Sequence, residues 1–263
     1  MSLEEIAPKK GERALIIGGS RSGKSTLLDH LVQYSVKTRP DIEVLMLDTK
    51  PRFRAEIEKF GPRNKFVRDA DRNYNDWAPG PVVPGSVRLN IHADNPLANH
   101  WTDECRIVIA QCEEPAERHR LLQIADKWYH TKKRNKDRML VCDELLDFYH
   151  PNGVCIDPKC NVPLKVNRAG GERGFSSTQG AQRPKGIPIQ LSAELTRLYL
   201  FHLRYEQDMK YLYDMGIPRD IEPPKKEKHA FKMIVVEPGG HAEYMGTYRL
   251  TLTDAYKSQL SDT

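Results

Sequence analysis

Eight consecutive residues, Gly18-Gly19-Ser20-Arg21-Ser22-Gly23-Lys24-Ser25, fit the pattern G-x-x-x-x-G-K-[ST] in full. The chemistry such a run can do is to grip phosphate. Glycines let the backbone turn tightly, so that successive N–H groups point inward at phosphate oxygens. A helix starting near Lys24 adds the partial positive charge of its N-terminus. Lys24 would reach the β- and γ-phosphates of a nucleoside triphosphate, and the Ser25 hydroxyl would ligate magnesium. The binding stretch is therefore Gly18, Gly19, Ser20, Arg21, Ser22, Gly23, Lys24, Ser25 and Thr26, with ATP and Mg2+ as the expected cofactors. No base-reading motif separates ATP from GTP.

A second constellation is Met139-Leu140-Val141-Cys142-Asp143-Glu144, an apolar run ending in two carboxylates. An Asp in this place holds the magnesium shell in P-loop nucleotide hydrolases. Glu144 beside it is placed to orient and deprotonate an attacking water, the general-base role. The adjacent pair favours hydrolysis by water over phosphoryl transfer to a small acceptor. The bland alternative is that both carboxylates cap the start of a helix.

These residues need elements to carry them. Arg13 to Gly18 (RALIIG) reads as a strand leading into the glycine-rich loop. Lys24 to about Val36 reads as a helix with Leu27, Leu28, Leu31 and Val32 on one face. Further apolar runs at Glu43–Leu47, Cys105–Ala110 and Met139–Cys142 suit parallel strands buried on both faces. A helix is predicted from about Pro115 to Thr131, with Leu121, Leu122, Ala125, Trp128 and Tyr129 inward; the two aromatics read as helix core, not base-stacking groups. The stretch from Asn73 to Ala98 reads mostly as loop with a short strand at Ser86–His92. His150 to Lys165 is turn-rich and reads as an inserted loop, followed by a helix. The run Phe175–Pro184, a strand at Leu198–Leu203 and a helix from about Tyr205 to Met215 follow. Phe231–Val236 and Glu243–Leu252 close the chain as a hairpin around Pro238-Gly239-Gly240. The expectation is an α/β fold in one domain, residues 1–263, with the inserted loop at about 150–165 and the hairpin at about 229–252.

Bulk properties exclude several classes. With 263 residues, 39% hydrophobic and 29% charged, the chain can bury a sizeable core and is not of disordered composition. No apolar run approaches the roughly 20 residues needed to cross a bilayer. The N-terminus MSLEEIAPKKGE has neither a signal-peptide nor an anchor pattern. Five cysteines in a chain of this size are no disulfide framework, and point to a cytoplasmic setting. The net charge of +5, from 41 Lys and Arg against 36 Asp and Glu, is compatible with nucleic acid without requiring it.

In the C-terminal half, Gly174-Phe175-Ser176-Ser177-Thr178-Gln179-Gly180-Ala181-Gln182-Arg183-Pro184 resembles the strand of the FtsK–HerA superfamily that ends in Gln-Arg-Pro. In that superfamily it follows the Asp-Glu strand and is preceded by an Arg-bearing helix, a region that here holds Arg168 and Arg173. Gly186-Ile187-Pro188, then LYLFHLR, then Asp208, and upstream Leu47-Asp48-Thr49-Lys50, match further motifs in order. The resemblance covers roughly Arg13 to Pro218. It implies a RecA-like P-loop NTPase core with a mostly parallel central sheet. It also implies a homo-oligomer, usually a hexameric ring, that moves double-stranded DNA. The chain's size is similar to that of the small genome-packaging ATPases of double-stranded DNA viruses, so packaging is favoured, with a cellular translocase module as the alternative. A capsid or membrane-vertex protein would then dock the motor, without membrane insertion, in host cytoplasm or at the virion packaging vertex. On this alignment Gln182 is the polar sensor of the γ-phosphate. A cation supplied in trans would come from Arg173, with Arg168 and Arg183 as alternatives.

Two departures stand beside the match. FSSTQGAQ is unusually polar for a central strand, and the Cys-containing loop at 150–165 has no counterpart. Cys155, Cys160 and His150 could be half of a zinc site, but no second pair of ligands is evident and a plain loop is preferred. The basic runs Lys132–Arg138 and Lys225–Lys228 could touch phosphate backbones, yet such runs are more often solvated helix ends. The rival functions are a small-molecule P-loop kinase and an ATP-dependent assembly or switch protein that does not act on DNA.

Overall fold

The computed structural model describes residues 3–49, 86–89, 107–112, 115–131, 137–225, 230–237 and 242–249. In chain order the elements are α1 (Leu3–Ile6), β1 (Arg13–Ile17), α2 (Lys24–Thr38), β2 (Glu43–Asp48), β3 (Ser86–Leu89), β4 (Ile107–Gln111), α3 (Arg118–His130) and β5 (Arg138–Cys142). They continue with α4 (Val162–Ala169), β6 (Phe175–Ala181), α5 (Ile189–Ser192), β7 (Arg197–Phe201), α6 (Glu206–Asp214), β8 (Ala230–Val236) and β9 (Ala242–Arg249). Short 3-10 turns at Pro115–Glu117, Leu145–Phe148, Pro158–Cys160 and Gly171–Arg173 join some of them.

The strands form one sheet in the order β3-β4-β2-β5-β6-β1-β7-β8-β9. From β3 to β7 every neighbouring pair is parallel; β8 pairs antiparallel with β7, and β9 with β8. The expected mostly parallel α/β sheet with a C-terminal hairpin is thus observed, although Pro238 to Gly240 lie outside the described residues. Parallel strands need long crossovers, and the sequence supplies helices that cover both faces. On one face α1 and α2 bury Ile6, Leu27, Leu28, Leu31 and Val32 against Ala14, Ile16, Val44, Met46, Met139 and Val141. On the other, α3, α4 and α6 bury Leu121, Leu122, Trp128, Val166, Met209 and Leu212 against Leu15, Ile17, Leu45, Leu140 and Leu198. This two-sided burial is why the strands read as continuous apolar runs.

Trp128 and Tyr129 lie in that core, Trp128 edge-on to Phe175 at 5.2 Å. The expected insertion differs in one respect. Helix α4 begins inside it at Val162, because the Asn161 side chain accepts from Leu164 N and Pro163 suits the first turn. The loop is also pinned at its start by a bridge between Tyr149 and Cys155. Cys155 is buried and its thiol meets the Asp157 carbonyl at 3.3 Å; among the described residues no cluster of three His, Cys, Asp or Glu side chains could hold a metal ion. No helix among the described residues is long and apolar enough to cross a membrane. Lys132 to Lys136 and Lys226 to Lys228 lie outside the described residues.

Candidate nucleotide site

All the parallel strands point their C-terminal ends at one edge of the sheet, and the candidate site is built there. The glycine-rich loop leaves β1 and enters α2. It is stitched to its neighbours by backbone bonds: Gly18 N donates to Ala181 O at 3.2 Å, at the end of β6, and Gly19 N to His202 O at 3.1 Å, beyond β7. Two residues turn through the left-handed region, Arg21 at φ 62° and Gly23 at φ 110°. Gly23 does so at little cost, and its position immediately before α2 leaves the first helical N–H groups open to a ligand. Arg21 is exposed and adopts a conformation that costs a side-chain-bearing residue about 1 kcal/mol.

Lys24 folds back over the loop, its Nζ 3.1 Å from Gly19 O. Ser25 Oγ donates to Asp143 Oδ1 at 3.0 Å. This bond joins positions 118 residues apart, and it brings the start of α2 across the end of β6 to the end of β5, two strands from β1 in the sheet. Asp143 and Glu144 are 8% and 6% exposed, so their carboxylates sit in the molecule and not in a solvated cap. The segment after them is a 3-10 turn, Leu145–Phe148, whose Glu144 cap makes no side-chain cap bond. Glu144 Oε1 instead accepts from Gln182 N at 3.3 Å, drawing together the ends of β5 and β6. Cys142, last in β5, is fully buried, which pushes its thiol pKa above the ordinary value and leaves it inert packing.

The pair Ser25 and Asp143 is a fitting donor set for magnesium: two hard oxygens already in contact, beside a loop that would bring phosphate oxygens. Ser20, Ser22 and Thr26 lie in the same loop-to-helix stretch.

The arginines part company. Arg183, next to Gln182, grips the buried Asp208 through Nε at 3.1 Å and Nη2 at 3.0 Å, and stacks 4.8 Å from the Tyr205 ring. The Asp208 carboxylate holds the Arg183 pKa above its ordinary value. This residue is engaged within its own chain. Arg173 is exposed at the opposite edge of the sheet, 5.0 Å from the Tyr129 ring, where β6 begins. The seven residues of β6 separate it from Gln182 by roughly 23 Å. Arg168, exposed near the end of α4, lies at that same far edge. Neither approaches the loop of its own chain.

Sequence reasoning missed a cluster on the other flank of Glu144. Asp147, within the 3-10 turn, accepts from the Thr49 hydroxyl at the end of β2 and pairs with Arg118 at 3.1 Å at the start of α3. Of these three, only Thr49 falls within a motif, as the middle of the Asp-x-Lys run. Arg204 also reaches the nucleotide edge, exposed just after β7 and 5.7 Å from the Tyr205 ring. Nothing local in the sequence signals the cluster, since its contacts join separate elements.

No protein-family model matches the sequence, and no curated protein matches it either. Solved structures do. The DNA-packaging ATPase B204 from Sulfolobus turreted icosahedral virus aligns with TM-score 0.57 and 15% identity, over 92% of this chain and 98% of that one. The genome-packaging NTPase B204 from Sulfolobus turreted icosahedral virus 2, in complex with ATP-γS, aligns with TM-score 0.57 and 12% identity over 92% and 98%. EssC (ATPases 2 and 3) from Geobacillus thermodenitrificans aligns with TM-score 0.54 and 8% identity, over 94% of this chain and 42% of that one. At these identities what is shared is the fold.

Proposed function

We propose that this chain is an ATP-hydrolysing motor that translocates double-stranded DNA, working as a viral genome-packaging ATPase. The observation that carries the hydrolytic part is the 3.0 Å bond from Ser25 Oγ to Asp143 Oδ1, with Glu144 beside it against Gln182 N. It unites the phosphate loop with the two carboxylates that hydrolysis needs. The motor part is supported by the likeness to the DNA-packaging ATPase B204, which extends over nearly the whole of both chains.

The steps follow from the residues. The triphosphate enters the loop Gly18–Ser25, where inward N–H groups and the start of α2 compensate its charge. Lys24 exchanges the Gly19 carbonyl for the β- and γ-phosphates. Ser25 and Asp143 would hold magnesium, which would supply charge neutralisation for the triphosphate. Gln182 orients a water, and Glu144 takes one of its protons as the water oxygen forms a bond to the γ-phosphorus. The bond from that phosphorus to the β–γ bridging oxygen breaks, leaving ADP and inorganic phosphate, to which the proton on Glu144 is released. The charge of the transferring group calls for a further cation. Arg173 would serve from a neighbouring subunit in a homohexameric ring, which agrees with its exposure and its distance from its own loop. The ring would dock on a capsid or membrane-vertex protein.

The test is ATPase rate of the purified chain with and without double-stranded DNA, with oligomer size followed in the same samples. Stimulation by DNA in a ring-sized assembly is expected. Steady turnover by a monomer indifferent to DNA, with the docking protein supplied, would favour a kinase or a switch.

A further inference from the structure

Glu144 has an anchor on each side. Toward β6 it is the Gln182 N–H, already part of the site. Toward β2 the anchor is indirect, and of its members only Thr49 falls within a motif. The register of β2 on β5 ends with Leu47 opposite Cys142, so Thr49 and Glu144 leave the ladder at the same level. Immediately after Glu144 the chain tightens into the 3-10 turn, and Asp147 N donates to Glu144 O at 3.1 Å. The carboxylate of that same Asp147 is held twice, by the Thr49 hydroxyl and by the Arg118 guanidinium. Thr49 is 7% exposed, and the Asp147 side chain 17%, so the contacts are shielded from competing water. A single carboxylate thus ties the turn that carries Glu144 to β2 and to α3.

We propose that Asp147 is a positioning residue: fixed by Thr49 and Arg118, it sets the backbone from which the Glu144 carboxylate reaches the attacking water. The inference rests on the hydrolytic reading above. Asp147 touches neither phosphate nor water in this role. Its effect is confined to the orientation of Glu144, because the phosphate loop is built from β1 and α2 on the far side of β6. The network should therefore govern turnover and leave nucleotide affinity alone.

The experiment compares Thr49→Val, Thr49→Ser and Arg118→Gln with the unaltered chain, measuring kcat and KM for ATP, ATP-γS affinity and melting temperature. Thr49→Val keeps the shape of the side chain and removes only the hydroxyl, so it is expected to fold. Its kcat should fall about tenfold, the order expected when a reacting group is misplaced by a fraction of an ångström, with ATP-γS affinity unchanged. Thr49→Ser, which restores the hydroxyl, should return kcat to that of the unaltered chain, and Arg118→Gln should fall in the same direction as Thr49→Val. Equal kcat in Thr49→Val and the unaltered chain would overturn the proposal. So would a loss that tracks melting temperature and affinity together, the mark of a purely structural contact. If the unaltered chain binds ATP-γS but turns over no ATP under any condition, the hydrolytic reading itself fails, which is a different result.

Discussion

β5 and β6 lie side by side at the centre of the sheet, in register from Arg138 opposite Phe175 to Cys142 opposite Gln179, and both are wholly buried. Their sequences could hardly differ more: RMLVC against FSSTQGA. β5 is held by apolar layers, with Leu140 and Cys142 on one face and Met139 and Val141 on the other. β6 is held by directed bonds. Asn167 on α4 accepts from Ser177 Oγ at 2.8 Å and Gln179 Nε2 at 3.1 Å, while its own Nδ2 donates to Leu191 O at 3.2 Å. On the opposite face Ser176 Oγ donates to Arg138 O at 3.2 Å and accepts from Arg39 at 3.0 Å. The lesson is that a central strand may be polar provided its groups find partners. Apolar contact is non-directional, whereas a hydrogen-bonded strand has its register fixed. Each strand ends at the nucleotide edge, β5 in Asp143-Glu144 and β6 in Gln182.

The sharpest way to break the comparison is through those ends. Glu144→Gln removes the base while keeping size, and turnover should fall by about a hundredfold or more, with ATP binding retained. Gln182→Ala should cost less, about tenfold, since it orients water without taking its proton. Steady-state ATPase rates and ATP-γS titration decide. A larger loss at Gln182 than at Glu144 would move the base away from β5.

The second test concerns how each strand is held. Leu140→Ala removes packing from β5, and Asn167→Ala removes the partner of β6; each should destabilise by about 3 kcal/mol, one through a cavity and the other through orphaned polar groups. The two mechanisms separate in a Ser177→Ala background, read by urea midpoints. Asn167→Ala should become cheaper there, because one of its stranded groups is gone, whereas Leu140→Ala should cost the same. Additive costs for Asn167 and Ser177 would mean that the network does not act as a unit.

The asymmetry between the two strands also explains what the sequence revealed. The phosphate loop, the Asp-Glu strand and the amphipathic helices α2 and α3 were legible because periodicity and spacing are local. The polarity of β6 looked like a departure because its partners, Asn167 on α4 and Arg39 after α2, come from other elements. Likewise Arg183 was open to a trans role until folding set Asp208, 25 residues away, against it. Helices of four residues, α1 and α5, carry too little periodicity to read and owe their form to contacts such as the Tyr199 hydroxyl on Ile6 O.

A smaller effect is expected where the two strands touch. A Cβ on Gly180 would lie 2.4 Å from Asp143 O and 3.2 Å from Asp143 C, backbone atoms that cannot rotate aside. Gly180→Ala should cost about 2 kcal/mol through overpacking. The displacement falls on Asp143, so the magnesium concentration for half-maximal turnover should rise as well. Stability lost with an unchanged magnesium requirement would show that the strain relaxes along β6 instead.

The smallest effect has the opposite sign. Thr178, between Ser177 and Gln179, points to the α2 face and is 0% exposed, and its hydroxyl has no hydrogen-bond partner among the described residues. Gln179 Oε1 is likewise without a partner among the described residues, but Gln179 still donates through Nε2, whereas the Thr178 side chain makes no hydrogen bond there. Burying an unpaired hydroxyl costs about 1 kcal/mol or more, and valine fills nearly the same space without it. Thr178→Val should therefore raise the melting temperature by about 2–4 °C, while Ser177→Ala, one residue away, lowers it by breaking the bond to Asn167. If both substitutions destabilised the chain, the Thr178 hydroxyl would have a partner in solution, and β6 would be polar by pairing along its whole length. If Thr178→Val stabilises as expected, directed bonds hold the Asn167 face of β6, and on the α2 face at Thr178 the strand is held as β5 is, by shape and apolar contact.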